Sequence, residues 1–479
     1  FKFLLYNIPA WFIPISTFLL LPIYTNILSP TDYGIRAIII LFIFLIQIPT
    51  SLGLNWVVRS RYFDFETEAK QKSYLTSLML FSFFPRMLMA TFVLFIGESL
   101  ATLLFRSWES SFMFLLHVQI LIYIVNSSTD IFTAIFIMEM KAVNYTILHL
   151  SNYLVVTICS LVFLIKFDYG LISLFYADLI GSFLFLFLSF FLLINKWKMI
   201  FDFQIFADIK KIGLPSIPQA IVGVMQTNIT MFLMQIYLPL SSLGIYQKSL
   251  LVHGGYKKLY KSYSNTVSPL YIKEISESKS NTSSSVISSL YWIVFISSIQ
   301  LLTILFLLDT FKFIGVNESF WDSAVYAPLL GFQIIFISTT VFYDNNILVS
   351  KRTYYYLIRS AISGIGATGL ALFLIPTYEI LGAMCSILFG GLLFFLTEYY
   401  FSEIKLGYVT KTNLPFNMII IVFLLAIFFL SYEGFLSSYL VKLLIILLYS
   451  LLVLCLDILF MSGSILKYIK SNIRIIKPY

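Results

Sequence analysis

Several apolar segments of this chain contain a basic side chain whose charge has to be accounted for. Arg86 stands in the stretch SFFPRMLMATF (residues 82–92), and no acidic residue occurs between positions 76 and 96. A guanidinium stays charged at any physiological pH, and placing it among lipid tails costs roughly 3 kcal/mol on insertion scales. The same group binds phosphate oxygens through two parallel hydrogen bonds, which an ammonium cannot match. Arg86 therefore requires either a carboxylate partner or a wet cavity that holds an anion.

The charged residues inside the apolar segments are the candidates for such a site. The acidic ones, Asp130 and Asp178, could carry a coupling ion, because a carboxylate within a membrane is by default a functional residue. They could equally be structural partners of an arginine, and a clamp between Arg86 and either of them stays open as an alternative. The basic candidates for binding an anionic ligand are Arg86, Arg359, Lys248 and Arg36, with Arg59 at the inner mouth.

Uncharged polar residues recur at helical spacing near these charges. Positions 119, 123, 126 and 130 stand at i, i+4, i+7 and i+11, so they form one stripe along a helix, and positions 219, 226 and 230 form a second. A polar stripe that faced lipid would be costly, so each stripe must face protein or water. We predict that the uncharged members line a polar cavity: Gln119, Tyr123, Asn126, Gln219, Gln226 and Thr230.

No arrangement typical of catalysis or metal binding accompanies these residues. The sequence contains no DxD, HExxH or Ser-His-Asp pattern, and Cys159, Cys385 and Cys455 lie in apolar runs without CxxC spacing. It contains no nucleotide-binding P-loop either. We therefore predict a protein that is not an enzyme and that has no metal or other cofactor. The candidate energy source is a gradient of H+ or Na+.

The composition identifies the surroundings of these segments. The chain of 479 residues is 59% hydrophobic and 11% charged, whereas about 25% of the residues of a soluble protein are charged, and its mean hydropathy is +0.93. Many segments exceed the ~20 apolar residues that cross a bilayer, and they do not alternate as β-barrel strands do. We predict an all-α polytopic membrane protein with about fourteen transmembrane helices, centred near residues 15, 46, 85, 125, 154, 182, 226, 256, 297, 336, 365, 390, 424 and 448.

The distribution of basic residues predicts how these helices are oriented. The loops on one side of the membrane contain only Arg106, Lys166 and Lys312, whereas the loops on the opposite side and the termini are rich in lysine and arginine. By the positive-inside rule, both termini are cytoplasmic. The net charge of +8 is thus a feature of the membrane surface, and we expect no nucleic acid as a partner.

A common shift of about 210 positions relates two parts of the chain. LSPTDYG at 28–34 corresponds to LPLSSLG at 238–244, and FDYGLISLFYADLIG at 167–181 corresponds to PTYEILGAMCSILFG at 376–390. Because six helices separate the copies, both copies have the same orientation in the membrane. Such parallel repeats are related by an axis along the membrane normal.

The repeat predicts the domain organisation. We expect an N-terminal six-helix lobe at 1–195, a C-terminal six-helix lobe at 196–404, and two accessory helices with a cytoplasmic tail at 405–479. An amphipathic linker at the start of the C-terminal lobe is expected to lie on the membrane surface. Its apolar side would contain Phe201, Phe203, Phe206 and Ile209, and its polar side Asp202, Asp208 and Lys210.

The segment LSPTDYGIRAIIILFIFLIQIPTSLGLNWVVRSRYFD (residues 28–64) resembles the start of bacterial O-antigen and capsule flippases. Further segments similar to this family are LGIYQKS at 243–249, FIGVNESFWDSAVYAPLL at 313–330 and LFLIPTYEILGAMCS at 372–386. These flippases form the Wzx-type polysaccharide-transporter branch of a superfamily of exporters of drugs, oligosaccharidyl lipids and polysaccharides, which also contains MATE drug exporters and lipid II flippases. The matching positions of the family pattern are Leu28, Pro30, Tyr33, Gly34, Leu52, Gly53, Leu54, Arg59, Arg61 and Tyr62.

The resemblance implies a MATE-like pair of lobes around a central cavity. From the residue types and their positions, one in each predicted lobe, we predict that Arg86 and Arg359 make this cavity cationic and contact a diphosphate from both sides. The implied activity is flipping of an undecaprenyl-diphosphate-linked O-antigen or capsule oligosaccharide to the periplasmic leaflet by alternating access. The expected location is the bacterial inner membrane, in lipopolysaccharide biosynthesis. Expected partners are the bilayer, a polysaccharide polymerase and its chain-length machinery, with the protein itself a monomer. A MATE-type cation-coupled drug exporter and a lipid II flippase remain the alternatives.

Overall fold

The chain folds into helices throughout the part of it that can be described. The computed structural model describes residues 2–62, 64–139, 141–193, 200–277, 284–350, 352, 354–407, 413–434 and 438–460, and within these ranges it contains no strand. The α-helices are α1 (Lys2–Leu19), α2 (Leu21–Ile27), α3 (Pro30–Thr50), α4 (Leu54–Arg61), α5 (Glu68–Leu104), α6 (Met113–Val125), α7 (Thr129–Met138), α8 (Ala142–Ile165), α9 (Ile172–Leu192), α10 (Gln204–Asp208), α11 (Leu214–Tyr237), α12 (Leu240–Glu277), α13 (Ser284–Ile314), α14 (Trp321–Val349), α15 (Tyr354–Tyr399), α16 (Asn413–Tyr432) and α17 (Tyr439–Phe460).

The predicted helix positions agree with these elements. Every one of the fourteen predicted centres lies within an α-helix. The centres near 365 and 390 both fall in α15, which is kinked at Glu379 (φ 51°, ψ −125°) and so supplies two helical segments. Nine helices in the described ranges are long and apolar enough to span a membrane. The prediction of an all-α multi-pass membrane protein is confirmed.

Contacts between residues divide the chain into two compact units. The first contains residues 1–247 and 375–383, and the second contains residues 248–374 and 384–479. This division follows packing, whereas the predicted lobes at 1–195, 196–404 and 405–479 follow the sequence repeat. The lobe boundaries therefore stay a prediction.

The LSPTDYG segment contains the start of α3, and Ser29, Pro30 and Asp32 determine where that helix begins. Ser29 and Asp32 form a reciprocal cap: the Ser29 amide donates to Asp32 Oδ2 at 2.8 Å, and the Asp32 amide donates to Ser29 Oγ at 3.2 Å. Pro30 occupies the first helical turn, where no backbone donor is needed. The segment therefore ends one helix and begins the next within a few residues.

The equivalent glycines of the repeat make reciprocal contacts inside the first unit. A Cβ at Gly34 would overlap the carbonyl of Leu240, and a Cβ at Gly244 would overlap the carbonyl of Pro30. Under the repeat shift, Leu240 is the equivalent of Pro30, so each copy presents its glycine to the same position of the other copy. The two helix starts pack backbone to backbone, which only glycine permits.

The linker between the two copies of the repeat contains buried side chains, so it does not lie wholly on a surface. Phe201, Phe203 and Phe206 are exposed, as its amphipathic pattern predicts. The prediction that Asp208 lies on a solvated face is wrong, because its side chain is buried. Asp208 Oδ1 accepts hydrogen bonds from Arg61 Nε at 3.1 Å and Nη2 at 2.6 Å. Its Oδ2 accepts from the Tyr74 hydroxyl at 2.8 Å.

The two accessory helices, α16 and α17, belong to the second unit and pack against α13. The ammonium of Lys442 in α17 forms an ion pair with Asp309 of α13 and lies 5.1 Å from the ring centroid of Phe306. The Tyr449 hydroxyl forms a hydrogen bond with Ser297 of α13 at 2.5 Å. Lys442 is therefore a structural residue that fastens α17 to α13.

We predict that Gly34→Ala and Gly244→Ala each destabilise the protein by about 1–3 kcal/mol, because an added methyl would overlap a backbone carbonyl. Thermal unfolding of the detergent-solubilised protein measures the effect. Gly364→Ala in α15 is the matched control, since a Cβ there has nothing within 4 Å. Alanine favours a helix over glycine by up to ~1 kcal/mol, so the control should be neutral or stabilised. Wild-type stability of both Gly34→Ala and Gly244→Ala would contradict the close contact.

Candidate functional site

A polar cavity lies within the first unit, among α3, α5, α6, α8 and α9. Its volume is about 450 Å³, which is within the range of about 300–1,000 Å³ typical of small-molecule sites. The lining combines one arginine, one aspartate, one histidine, four amides and three hydroxyl residues with four apolar side chains. The lining residues are Ile43, Gln47, Arg86, Gln119, Ile122, Tyr123, Asn126, Thr129, His149, Asn152, Val156, Asp178, Ser182 and Phe185.

Arg86 lies at the wall of this cavity, near the middle of α5, and is only 5% exposed. Its guanidinium carbon is 5.0 Å from the ring centroid of Tyr123, a cation–π distance. Its Nη1 donates to the Tyr123 carbonyl at 3.5 Å, the long limit of a hydrogen bond. The Tyr123 hydroxyl is itself held by a hydrogen bond with Thr50. The tyrosine ring and carbonyl therefore orient the guanidinium on the cavity wall.

A break in the fourth predicted span supplies part of this geometry. The 3₁₀ turn Asn126–Ser128 separates α6 from α7 where the sequence predicts one continuous helix. Such interruptions inside long helices often mark functional positions, because they redirect side chains and backbone carbonyls. Asn126, the first residue of the turn, and Thr129, the first residue of α7, both line the cavity.

Asp178 also lines the cavity, and its partner is Arg36. Arg36 Nη2 lies 2.7 Å from Asp178 Oδ2, and the two side chains are 28% and 27% exposed. The pair joins α3 to α9 within the first unit. Asp178 thus has the structural partner that the sequence left open, and this partner is Arg36 rather than Arg86.

Only some of the remaining predicted site residues line this cavity. Gln119, Tyr123 and Asn126 line the cavity together with Arg86. Thr230 is buried outside its lining. Lys248 is half-buried in the second unit. The side chains of Asp130, Arg59, Gln219 and Gln226 lie outside the described part of the structure, so their roles stay predictions.

Arg359, predicted to bind the same anion as Arg86, lies between two carboxylates of the second unit. Its Nη1 forms ion pairs with Asp344, at 2.5 Å, and with Glu398. Its guanidinium carbon is 4.1 Å from the Phe394 ring centroid and 5.0 Å from that of Tyr356. Glu398 is fully buried, so the guanidinium supplies charge that this carboxylate requires. These contacts favour a structural role for Arg359.

The sequence interpretation missed several residues of both clusters. His149 is not among the predicted site residues, but it lines the cavity. Asn152, one turn along α8, and Gln47 of α3 line it as well. Asp344 and Glu398 are not among the predicted site residues either, although an acidic residue in an apolar run indicates an ion pair within the membrane. The amides carried no comparable signal, because single polar residues are common in apolar helices.

Comparison with known proteins defines the family. Residues 23–269, more than half of the chain, match the family described as polysaccharide biosynthesis protein. The chain belongs to the polysaccharide biosynthesis protein family. No curated protein sequence is significantly similar to it.

The chain is similar in fold to solved structures that are described as a flippase and as transporters. The lipid II flippase MurJ in an inward closed conformation superposes with a TM-score of 0.72 at 17% identity, covering 96% of this chain and 100% of MurJ. An inward-facing multidrug resistance MATE transporter of the MOP superfamily gives 0.65 at 12% identity, with 85% and 96% covered. A MOP superfamily transporter from Pyrococcus furiosus, with a binding pocket of reverse polarity, gives 0.58 at 14% identity, with 86% and 96% covered. This member of the polysaccharide biosynthesis protein family therefore has the MOP superfamily fold, as the sequence resemblance implied.

We predict that Arg359→Leu destabilises the protein by about 3–5 kcal/mol, because Asp344 and Glu398 would be left without their shared cation. Unfolding of the purified protein and its level in the membrane measure the effect. The double variant Arg359→Leu with Glu398→Leu should recover part of the loss, since one uncompensated charge is removed. The exposed Arg352→Leu serves as the matched control. Unchanged stability of Arg359→Leu would contradict the structural role and return Arg359 to the anion-binding role.

Proposed function

We propose that this protein is a flippase for an undecaprenyl-diphosphate-linked oligosaccharide of the O-antigen or capsule type. It would move the lipid from the cytoplasmic to the periplasmic leaflet of a bacterial inner membrane, with both termini in the cytoplasm. The observation that carries the proposal is the buried guanidinium of Arg86 on the wall of a polar cavity, in a member of the polysaccharide biosynthesis protein family. A diphosphate crossing a layer of low dielectric constant needs such a cation.

The described charges at the cavity favour an anionic ligand over a cationic one. Among the described residues that line the cavity, the permanently charged or acidic ones are Arg86 and Asp178, and Asp178 forms an ion pair with Arg36 of α3. A site for a drug cation would be expected to offer a carboxylate to the ligand. A phosphate, by contrast, can accept two parallel hydrogen bonds from the Arg86 guanidinium.

Release of the lipid requires that this attraction be limited. Tyr123 already contributes a ring face and a carbonyl to Arg86, so part of the interaction capacity of the guanidinium is used before a ligand arrives. A bound phosphate would then add hydrogen bonds to a guanidinium that Tyr123 already stabilises. Such a site suits a carrier that binds its cargo on one side and releases it on the other.

We predict that Arg86→Ala lowers the initial rate of flipping about tenfold to a hundredfold, because a hydrogen bond to a charged group contributes about 1.5–3 kcal/mol. Arg86→Lys should retain partial activity, since it keeps the charge and loses the two-pronged geometry. The measurement is the transfer of a fluorescent undecaprenyl-diphosphate oligosaccharide across the bilayer of proteoliposomes. Lipid II and a cationic drug serve as the alternative cargoes.

Arg352→Ala, which removes an exposed arginine, is the control for a change of net charge. Wild-type flipping by a folded Arg86→Ala protein would remove the phosphate role of Arg86. Transport of the drug cation alone would favour the exporter alternative. Faster transfer of lipid II than of the oligosaccharide lipid would favour a lipid II flippase.

Energy coupling is a separate part of the proposal, and Asp130 and Asp178 are its candidate residues. We predict that Asp130→Asn abolishes the stimulation of flipping by an imposed H+ or Na+ gradient and leaves flipping down a substrate gradient intact. The physical reason is that an amide cannot take up a proton or neutralise a cation as a carboxylate does. Asp178→Asn is the comparison, because Asp178 is committed to Arg36. Undiminished stimulation in Asp130→Asn would exclude Asp130 as the coupling residue.

A further inference from the structure

The cavity of the first unit contains more hydrogen-bonding capacity than a diphosphate requires. Four amide side chains from four parts of the chain converge on it: Gln47 of α3, Gln119 of α6, Asn126 of the 3₁₀ turn and Asn152 of α8. Thr129 and Ser182 add hydroxyl groups. An amide both donates and accepts hydrogen bonds and carries no net charge. The set therefore matches an uncharged ligand that is rich in donors and acceptors.

Two buried atoms on α8 have hydrogen-bonding capacity that is unused among the described residues. Asn152 Oδ1 and His149 Nε2 are both buried without a hydrogen-bond partner. The two residues are three positions apart, so they lie on one face of the helix, and both line the cavity. An unsatisfied buried polar atom carries a free-energy cost, because its lost hydrogen bonds to water are not replaced. A ligand that brings donors into the cavity would recover that cost.

The packing of α9 holds Asn152 in position. A Cβ at Gly181 would lie 2.7 Å from Asn152 Oδ1 and would overlap a side-chain methyl of Val156. Glycine at this position lets α9 approach the face of α8 that bears both residues. The ring of Phe185, also on α9, lies 5.5 Å from that of His149 and fixes the imidazole from the side. The polar atoms are thus held by packing, as a selective site requires.

We propose that this amide-lined cavity binds the sugar ring next to the diphosphate, and that it selects the cargo by the hydrogen-bonding groups of that ring. This inference rests on the proposed flippase function. Arg86 lies on the wall of the same cavity, so a phosphate held there brings the attached sugar within reach of the amides. Hydroxyl and acetamido groups both donate and accept hydrogen bonds, and so do the four amide side chains that line the cavity.

The size of the cavity limits how much of the glycan is recognised. A volume of about 450 Å³ accommodates a ligand comparable to a mono- or disaccharide rather than a long oligosaccharide. Selection would therefore depend on the proximal ring and be insensitive to the distal sugars. A site built to hydrogen-bond a ligand discriminates strongly against an analogue that lacks those groups, because its own buried polar atoms are then left unpaired.

The test compares two lipids in proteoliposomes: undecaprenyl diphosphate carrying a single N-acetylhexosamine, and undecaprenyl diphosphate without a sugar. We expect the wild-type protein to flip the sugar-bearing lipid at least tenfold faster. Asn152→Leu and Gln119→Leu should each reduce this ratio toward one, since both changes remove an amide and keep the side-chain volume similar. Asn26→Leu, which removes an exposed amide of the same unit, should retain the wild-type ratio.

Each outcome separates the two proposals. If the wild-type protein flips both lipids at the same rate, the sugar site is wrong and the flippase function stands. If it flips neither, the flippase function itself fails. Equal slowing of both lipids by the variants would also overturn the sugar site. Should either variant be poorly folded, the thermal shift of the wild-type protein decides: the sugar-bearing lipid must raise its melting temperature more than the sugar-free lipid at the same concentration.

Discussion

A charge removed from water must be compensated, and the internal polar contacts of this chain follow from that requirement. The penalty for an ion left alone in a protein interior is several kcal/mol, comparable to the whole stability of many domains. The chain meets it by pairing cations with carboxylates, and several of these pairs, such as Arg36–Asp178 and Lys442–Asp309, join helices that are far apart in sequence. The pairs are Arg36–Asp178, Arg61–Asp208, Arg359–Asp344, Arg359–Glu398 and Lys442–Asp309. Arg86 is additionally stabilised by an aromatic ring and a carbonyl beside a cavity, which is the geometry that leaves room for a ligand.

Much of the fold could be predicted because it depends on local patterns. Apolar runs of sufficient length are helices in a membrane protein, and each predicted centre lies in one. The repeat shift also identified Gly34 and Gly244 as equivalent, and their reciprocal contacts agree with it. Helical periodicity brought Gln119, Tyr123 and Asn126 to one face, and that face lines the cavity.

The pairing of side chains from distant segments could not be predicted in this way. Arg359 and Glu398 are 39 positions apart, and nothing in the local sequence indicates that they meet. Asp208 shows a related difficulty. An amphipathic pattern separates polar from apolar faces, but it does not show whether a polar side chain faces water or, like Asp208, is buried against an arginine. His149 and Asn152 line the cavity because of the way α8 packs on the neighbouring helices, and the local sequence does not indicate this packing. Local patterns thus predict elements, whereas charge partners and cavities depend on tertiary packing.

The fold is shared by proteins that carry different cargoes, so it does not identify the cargo of this one. What distinguishes one member from another is the chemistry of the cavity walls. Here the walls of the first unit combine a guanidinium, a paired carboxylate and several amides. That combination is suited to a ligand with one strongly anionic part and one neutral polar part, which is the arrangement of atoms in a glycosylated lipid diphosphate.

The reciprocal contact of the two helix starts has a bearing on how such a chain could arise. Gly34 meets Leu240, and Gly244 meets Pro30, the position equivalent to Leu240. In a symmetric dimer of identical subunits, a residue of one subunit meets a second residue of its partner, and the converse contact is formed at the same time. The contact inside this single chain has that form. Such a contact would result if a gene for a six-helix protein that formed symmetric dimers had been duplicated and the two copies joined end to end. Both glycines would then be retained, because a larger residue at either one would overlap the backbone of the other copy.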